Sequence, residues 1–148
     1  NYILEFNNTI NNWDTSNITN MKQVFYDCKI FNQPLSHWNT KNVISMNRMF
    51  NQCFLFNQDI STWDFSGLNL SDSLVRFMYR KTFNDYNPEH YDNLLIKWAS
   101  DPNVGGLQSN IIGGIDMGTI KYTANGAAAR QSILDNNKAQ TIKDGGQI

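Results

Sequence analysis

Charged side chains are scarce, and neither sign prevails: 12 Lys and Arg face 13 Asp and Glu, together 17% of the 148 residues. Without a basic surplus the chain offers no electrostatic footprint for nucleic acid or an anionic membrane. Two cysteines and two histidines, with no Cys-x-x-Cys and no paired histidines, leave no ligand set for a structural zinc site. No apolar run approaches the roughly 20 residues that span a bilayer. The first residues do not read as a signal peptide, and they begin at Asn1 without an initiator Met. The expectation is a fragment or processed segment of something longer. Aromatics make up 13% and apolar residues 41%, too much for disorder throughout, while Asn, Ser, Thr and Gln carry solubility in place of charge.

Those aromatics recur at a fixed interval. Trp13-Asp14-Thr15-Ser16-Asn17-Ile18-Thr19-Asn20-Met21 returns 25 residues later as Trp38-Asn39-Thr40-Lys41-Asn42-Val43-Ile44-Ser45-Met46. A worn third copy runs Trp63-Asp64-Phe65-Ser66-Gly67-Leu68. The same interval links Phe6, Phe31 and Phe56; Ile10, Leu35 and Ile60; and Phe25, Phe50 and Val75. Self-similarity at a few tens of residues marks a stacked-repeat solenoid, because one unit cannot bury its apolar side alone.

Each unit divides in two. The half around 60–63 is short, β-tolerant and flanked by polar turn residues, which predicts a strand. In the other half, Val43, Met46, Met49, Phe50 and Cys53, like Ile18, Met21, Val24, Phe25 and Cys28, follow helical spacing, with Asn17 or Thr19 and Asn42 or Ser45 as N-caps. The fold class expected is therefore α/β, a solenoid of 25-residue strand–helix repeats with a C-terminal α-β-α-β cap. The solenoid takes 1–81, with a partial first unit and then 6–30, 31–55 and 56–81; the capping segment takes 82–148. Within the cap, Asn87-Pro88 opens a helix, 101–106 is a loop, 110–122 a strand broken by glycines, 125–136 a helix, and Thr141-Ile142-Lys143 a last strand.

The motif Trp13-Asp14-Thr15-Ser16-Asn17-Ile18-Thr19-Asn20-Met21, followed by Phe25, Cys28 and Phe31-Asn32-Gln33, resembles the BspA-like bacterial surface-protein repeats first catalogued in mycoplasma lipoproteins. The likeness covers 6 to about 80. The tail, through Tyr91-Asp92-Asn93-Leu94-Leu95-Ile96-Lys97-Trp98, Ala127-Ala128-Ala129-Arg130 and Thr141-Ile142-Lys143-Asp144-Gly145-Gly146, resembles the segment that ends such arrays in secreted Bacteroidota proteins. The resemblance implies a leucine-rich-repeat-like fold, an extracellular or cell-surface location, adhesion or binding of a surface protein or glycan, and export by type IX secretion machinery. It carries no catalytic motif.

The residues themselves point to little chemistry. Cys28 and Cys53 share a column in which the third copy has Met78, so buried free thiols are favoured over a disulfide. His37 falls where other copies have Asn12 and Thr62, which reads as a tolerated surface residue, and His90 as solvated on the first turn of a helix. Asp14 and Asp64 flank Asn39 in a column that keeps a short polar side chain, a turn role rather than a carboxylate pair. Asn84, Asp85, Asn87 and Asp92 lack the loop and closing Glu of a calcium site. The Gly105-Gly106 and Gly113-Gly114 pairs have no phosphate-loop context, and Met21, Met46 and Met49 read as core. No enzyme, cofactor or metal is expected. What remains is a surface: Asn11, Asn12, Ser36, His37, Ser61 and Thr62 should stack into a polar strip beside the strands, flanked by Asp14, Asn39 and Asp64. The Trp13, Trp38 and Trp63 ladder, the Phe6, Phe31 and Phe56 ladder and the Phe25–Phe50 pair are expected as structural columns. The alternatives are a structural spacer or exported passenger with no ligand of its own and, least favoured, an enzyme with a site at the junction of repeats and cap.

Overall fold

Backbone amides from Met21 to Cys28 take turns. In the computed structural model, which describes residues 5–68, 73–82, 84–100, 114–136 and 141–148, the N–H groups of Met21, Gln23, Phe25 and Asp27 donate to the carbonyls of Ser45, Asn47, Met49 and Asn51 at 2.9–3.1 Å. The amides between them stay in their own coil: Val24 donates to Met21, Tyr26 to Gln23 and Cys28 to Phe25. The next coil repeats the division, with Met46, Arg48, Phe50 and Gln52 reaching Ser73, Val75, Phe77 and Tyr79, while Met49, Asn51 and Cys53 bond three residues back. Every amide of these stretches thus has a defined acceptor, as buried backbone requires.

This replaces the helix expected over 18–28 and 43–53. The bonds span three residues rather than four, and Gln23, Asp27, Arg48 and Gln52 have φ between 55° and 62°, a left-handed conformation that no α-helix contains. A run of tight turns with a left-handed residue at every fourth position also presents an apolar side chain at i, i+4 and i+7. Spacing alone therefore read turns as helix. The strand expected at 60–63 is likewise a turn: the Trp63 amide donates to the Ile60 carbonyl at 3.1 Å, as Trp13 does to Ile10 and Trp38 to Leu35. Coil-to-coil pairing thus lies in the half that looked helical.

Side chains one repeat apart lie upon one another. Trp13, Trp38 and Trp63 form a file with ring centroids 6.4 and 6.2 Å apart, and Phe6, Phe31 and Phe56 a second at 5.7 and 6.0 Å. Phe25 and Phe50, themselves 5.5 Å apart, wedge against Phe31 and Phe56 at 4.1 and 4.0 Å. Ile10, Leu35 and Ile60 are fully buried. Stacking buries what a single coil could not hide, and at about 25 cal/mol per Å² of apolar surface these columns dominate the energy. Gly67, standing where the earlier copies have Asn17 and Asn42, sits so close to its neighbour that a β-carbon would lie 2.6 Å from the Lys41 carbonyl oxygen.

The third coil is out of step with the 25-residue count. Met46 bonds to Ser73, 27 residues on, whereas Met21 bonds to Ser45, 24 on. Three additional residues have entered, and the backbone register moves Met78 behind Phe50 and Lys81 behind Cys53. The expected columns ending in Val75 and in Met78 are therefore corrected: apolar residues at the unshifted positions hid the insertion. Lys81 is buried and its Nζ donates to the carbonyls of Cys53 and Phe54 at 2.8 and 2.9 Å. Burial pulls its pKa down to about 8.

Beyond the third coil the elements run α1 (Pro88–Ser100), β1 (Ile115–Asp116), α2 (Ala124–Asp135) and β2 (Ile142–Lys143). The Asn87 side chain caps α1 by accepting from the Glu89 amide at 2.9 Å, with Pro88 at the first position, where a missing N–H costs nothing. Thr123 caps α2 through the Asn125 amide. β1 and β2 are parallel, Ile115 opposite Ile142, and the Met78 amide donates to the Asp116 carbonyl at 3.0 Å, so coil-to-coil bonding carries on into this segment. Leu94, Leu95 and Trp98 of α1 and Ile133 of α2 are buried in the same core as the repeats. Asp144 fastens the end: it accepts from the Tyr91 hydroxyl at 2.9 Å and pairs with Arg130 at 2.8 Å. The loop expected at 101–106, the beginning of the strand expected at 110–122, the Gly105-Gly106 pair and Gly113 lie outside the described residues.

Candidate functional site

The six strip residues are the middle pairs of three superposed four-residue turns. In each, the Trp amide closes on the carbonyl three residues back, so Asn11-Asn12, Ser36-His37 and Ser61-Thr62 project at the corner of their coils. Asn11, Asn12, Ser36, His37 and Thr62 are exposed, and Ser61 is partly so. The tryptophan file beneath sets the step from one pair to the next, 6.4 and then 6.2 Å between rings. The strip accordingly runs along a row of turns, not beside strands as expected. Two of its hydroxyls are engaged: Thr62 Oγ1 donates to the Ser36 carbonyl at 3.0 Å, and the Ser61 side chain donates to the Asp59 carboxylate.

The flanking column does what its chemistry implies. Asp14, Asn39 and Asp64 each accept, through Oδ1, the amide two residues on, from Ser16, Lys41 and Ser66, at 2.9, 3.2 and 2.8 Å. The bonds from Ser16 and Ser66 hold the Asp14 and Asp64 carboxyls below the usual carboxylate range. These three side chains are turn anchors, one per coil, and the two carboxylates, in the first and third coils, do not share a site.

Nucleophilic and metal chemistry find no geometry among the described residues. Cys28 and Cys53 are free thiols. The Cys53 thiol donates to the Cys28 carbonyl at 3.1 Å, and burial pushes it up to about 12, far from a reactive thiolate. Among the described residues no group of three His, Cys, Asp or Glu side chains could hold a metal ion. The oxygen-rich set around α1 is dispersed in local bonds: Asp85 accepts from the amide and hydroxyl of Thr82, Asp92 from the amide and hydroxyl of Thr123, and Asn87 caps the helix. His37 is exposed, and His90 packs edge-on to Tyr86 at 5.9 Å.

Two polar ladders went unread in the sequence. Asn7, Asn32 and Asn57 each accept the backbone amide of the next coil, from Asn32, Asn57 and Asn87, at 2.9, 2.8 and 2.7 Å. Gln33 and Gln58 reinforce them by donating to the oxygens of Asn7 and Asn32. Thr15 and Thr40 work on the other side, each hydroxyl donating to and accepting from the backbone of Asn39 or Asp64. The recurrence of Phe-Asn-Gln and of Thr two residues after Trp was the available signal.

Among the described residues, the outer side of the first coil is exposed. A recess of about 560 Å³ is lined by Phe6, Trp13, Val24 and Tyr26, among others. Exposure falls from 53% at Trp13 to 5% at Trp38 and 0% at Trp63.

Superposed copies of one unit, with aromatic files inside and aligned turns outside, describe a repeat protein. A family model described as "Mycoplasma protein of unknown function, DUF285" matches residues 1–91, and the chain belongs to that family. The match spans the residues that carry the resemblance to the BspA-like repeats, and the segment after residue 91 lies beyond it. No curated protein and no solved structure matches the chain. No helix among the described residues is long and apolar enough to cross a membrane.

Proposed function

We propose that the chain is a non-catalytic module of a cell-surface or secreted repeat protein, serving adhesion through a protein or glycan ligand. Its coils form a leucine-rich-repeat-like solenoid, capped by α1, α2 and their strands. The observation that carries this reading is the row of exposed turns in register on the tryptophan file, a repeating array of amide, hydroxyl and imidazole groups on a rigid support. Rigid, evenly spaced polar groups suit an extended polymer whose own units repeat. The tail's resemblance supports export, with type IX secretion as the route. A glycan array and whole-cell binding, comparing the chain with the combined Ser36→Ala, His37→Ala and Thr62→Ala variant, test the strip. Retained fold with lost binding supports it; unchanged binding removes it. The spacer reading draws on one observation, the Thr62 hydroxyl already spent on the Ser36 carbonyl. It predicts no ligand on either assay.

A further inference from the structure

We propose a second site, on the face where the coils exchange backbone hydrogen bonds: an arginine–tyrosine surface that binds a sulfated polysaccharide. It consists of Arg48, Arg76, Arg80, Tyr26 and Tyr79. The left-handed positions of the three coils fall into two columns, Gln23, Arg48 and Arg76 in one and Asp27, Gln52 and Arg80 in the other. The formal charge of these pairs rises from −1 in the first coil to +1 in the second and +2 in the third. A left-handed turn does not need arginine, since Gln23 and Gln52 hold the same φ of 61° and 62°. The cations therefore answer to something other than the backbone.

Arg76 and Arg80 both lie over the Tyr79 ring, their Cζ atoms 5.4 and 5.8 Å from its centroid, and Arg80 Nη1 donates to Gln52 Oε1 at 2.9 Å. Both arginines are exposed, as are Tyr26 and Tyr79, whereas Arg48 is partly buried and its buried Nε has no hydrogen-bond partner. Among the described residues no carboxylate pairs with Arg48, Arg76 or Arg80. Among the described residues, Asp27 stands in the column of Arg80 and lies 3.9 Å from Lys29, and Asp116, which lines the same recess as Arg80, accepts from the Gly118 amide. A recess of about 250 Å³ opens between Tyr26, Gln52, Arg76, Tyr79 and Arg80, and a neighbouring one extends past Tyr79 and Arg80 to Lys143.

Guanidinium groups pair with sulfate through two parallel N–H bonds. Tyr79 holds Arg76 and Arg80 over its ring, and the exposed Tyr26 ring offers a flat surface for the apolar face of a sugar. The near-neutral net charge conceals this face, because the positive groups gather on one side of the third coil. The choice of a glycan over other polyanions rests on the surface location proposed above; the anion site itself does not.

Heparin, chemically desulfated heparin and single-stranded DNA serve as probes, with the full chain, titrated calorimetrically at low and at high salt. Binding to heparin that weakens at least tenfold on desulfation, and at least tenfold again at high salt, is expected. Arg76→Gln with Arg80→Gln should weaken it tenfold or more while leaving the thermal midpoint in place, because glutamine already occupies these turn positions in the first two coils. The Ser36, His37 and Thr62 variant should bind heparin unchanged. Single-stranded DNA bound more tightly than heparin would overturn the glycan and its extracellular setting but keep the anion site. Heparin binding that survives the double glutamine variant, or equal binding of the desulfated chain, would overturn the site.

Discussion

The first and second coils carry nearly the same side chains and differ in what covers them. Trp13 is 53% exposed where Trp38 is 5%, and Val24 is 41% exposed where its column-mate Met49 is fully buried. A repeat residue thus has no fixed energetic value: its worth is set by whether a neighbour lies on each side. In a stack whose units touch only their neighbours, stability is a sum of unit and interface contributions, so a ring packed on both sides adds more than one packed on a single side.

The largest expected effect breaks this comparison directly. Trp38→Ala removes a ring sandwiched between two others and should cost about 3–5 kcal/mol in chemical denaturation, while Trp13→Ala should cost no more than about 1.5 kcal/mol. Equal losses would show that burial in the file does not set the energy. A smaller effect separates the polar ladder from the apolar one. Asn32 Oδ1 accepts both the Asn57 amide and the Gln58 side chain, so Asn32→Ala should lose about 1–3 kcal/mol, and Asn32→Asp, which keeps the acceptor, under about 1 kcal/mol. Indistinguishable thermal midpoints for the two variants would deny the ladder its role. The subtlest comparison is between the thiols. Both are raised by burial, Cys53 to about 12, and Cys28 belongs to the uncovered coil. A disulfide reagent at pH 8 should modify Cys28 first and Cys53 only after unfolding; simultaneous modification would contradict the difference in cover.

Much of this was legible in the sequence, and the parts that were not share a cause. The tryptophan and phenylalanine files, Ile10 with Leu35 and Ile60, and the turn role of Asp14, Asn39 and Asp64 could be read because the same residue types recur at one interval. Secondary structure within the coil could not, since Met21, Phe25 and Cys28 have a spacing that helix and left-handed turns share. The third coil was misread because Val75 and Met78 are apolar and stood where unshifted counting needed them. That error also hid Lys81 behind Cys53, and with it the alignment of Arg48 with Arg76. The Asn7, Asn32 and Asn57 ladder was visible as a recurring word, but its use of one coil's side chain to hold the next coil's backbone is a property of the stack. The polar strip was legible as a row; its place on turns was not.

The central claim is that equivalent side chains lie in single file, one coil upon the next. Through-space proton correlations among the indoles of Trp13, Trp38 and Trp63 in solution test it most directly. The account predicts cross-peaks from Trp38 to both of the others and none between Trp13 and Trp63. Absence of the Trp38 contacts, or an unbroken helical series of amide-to-amide peaks through 43–53, would contradict it.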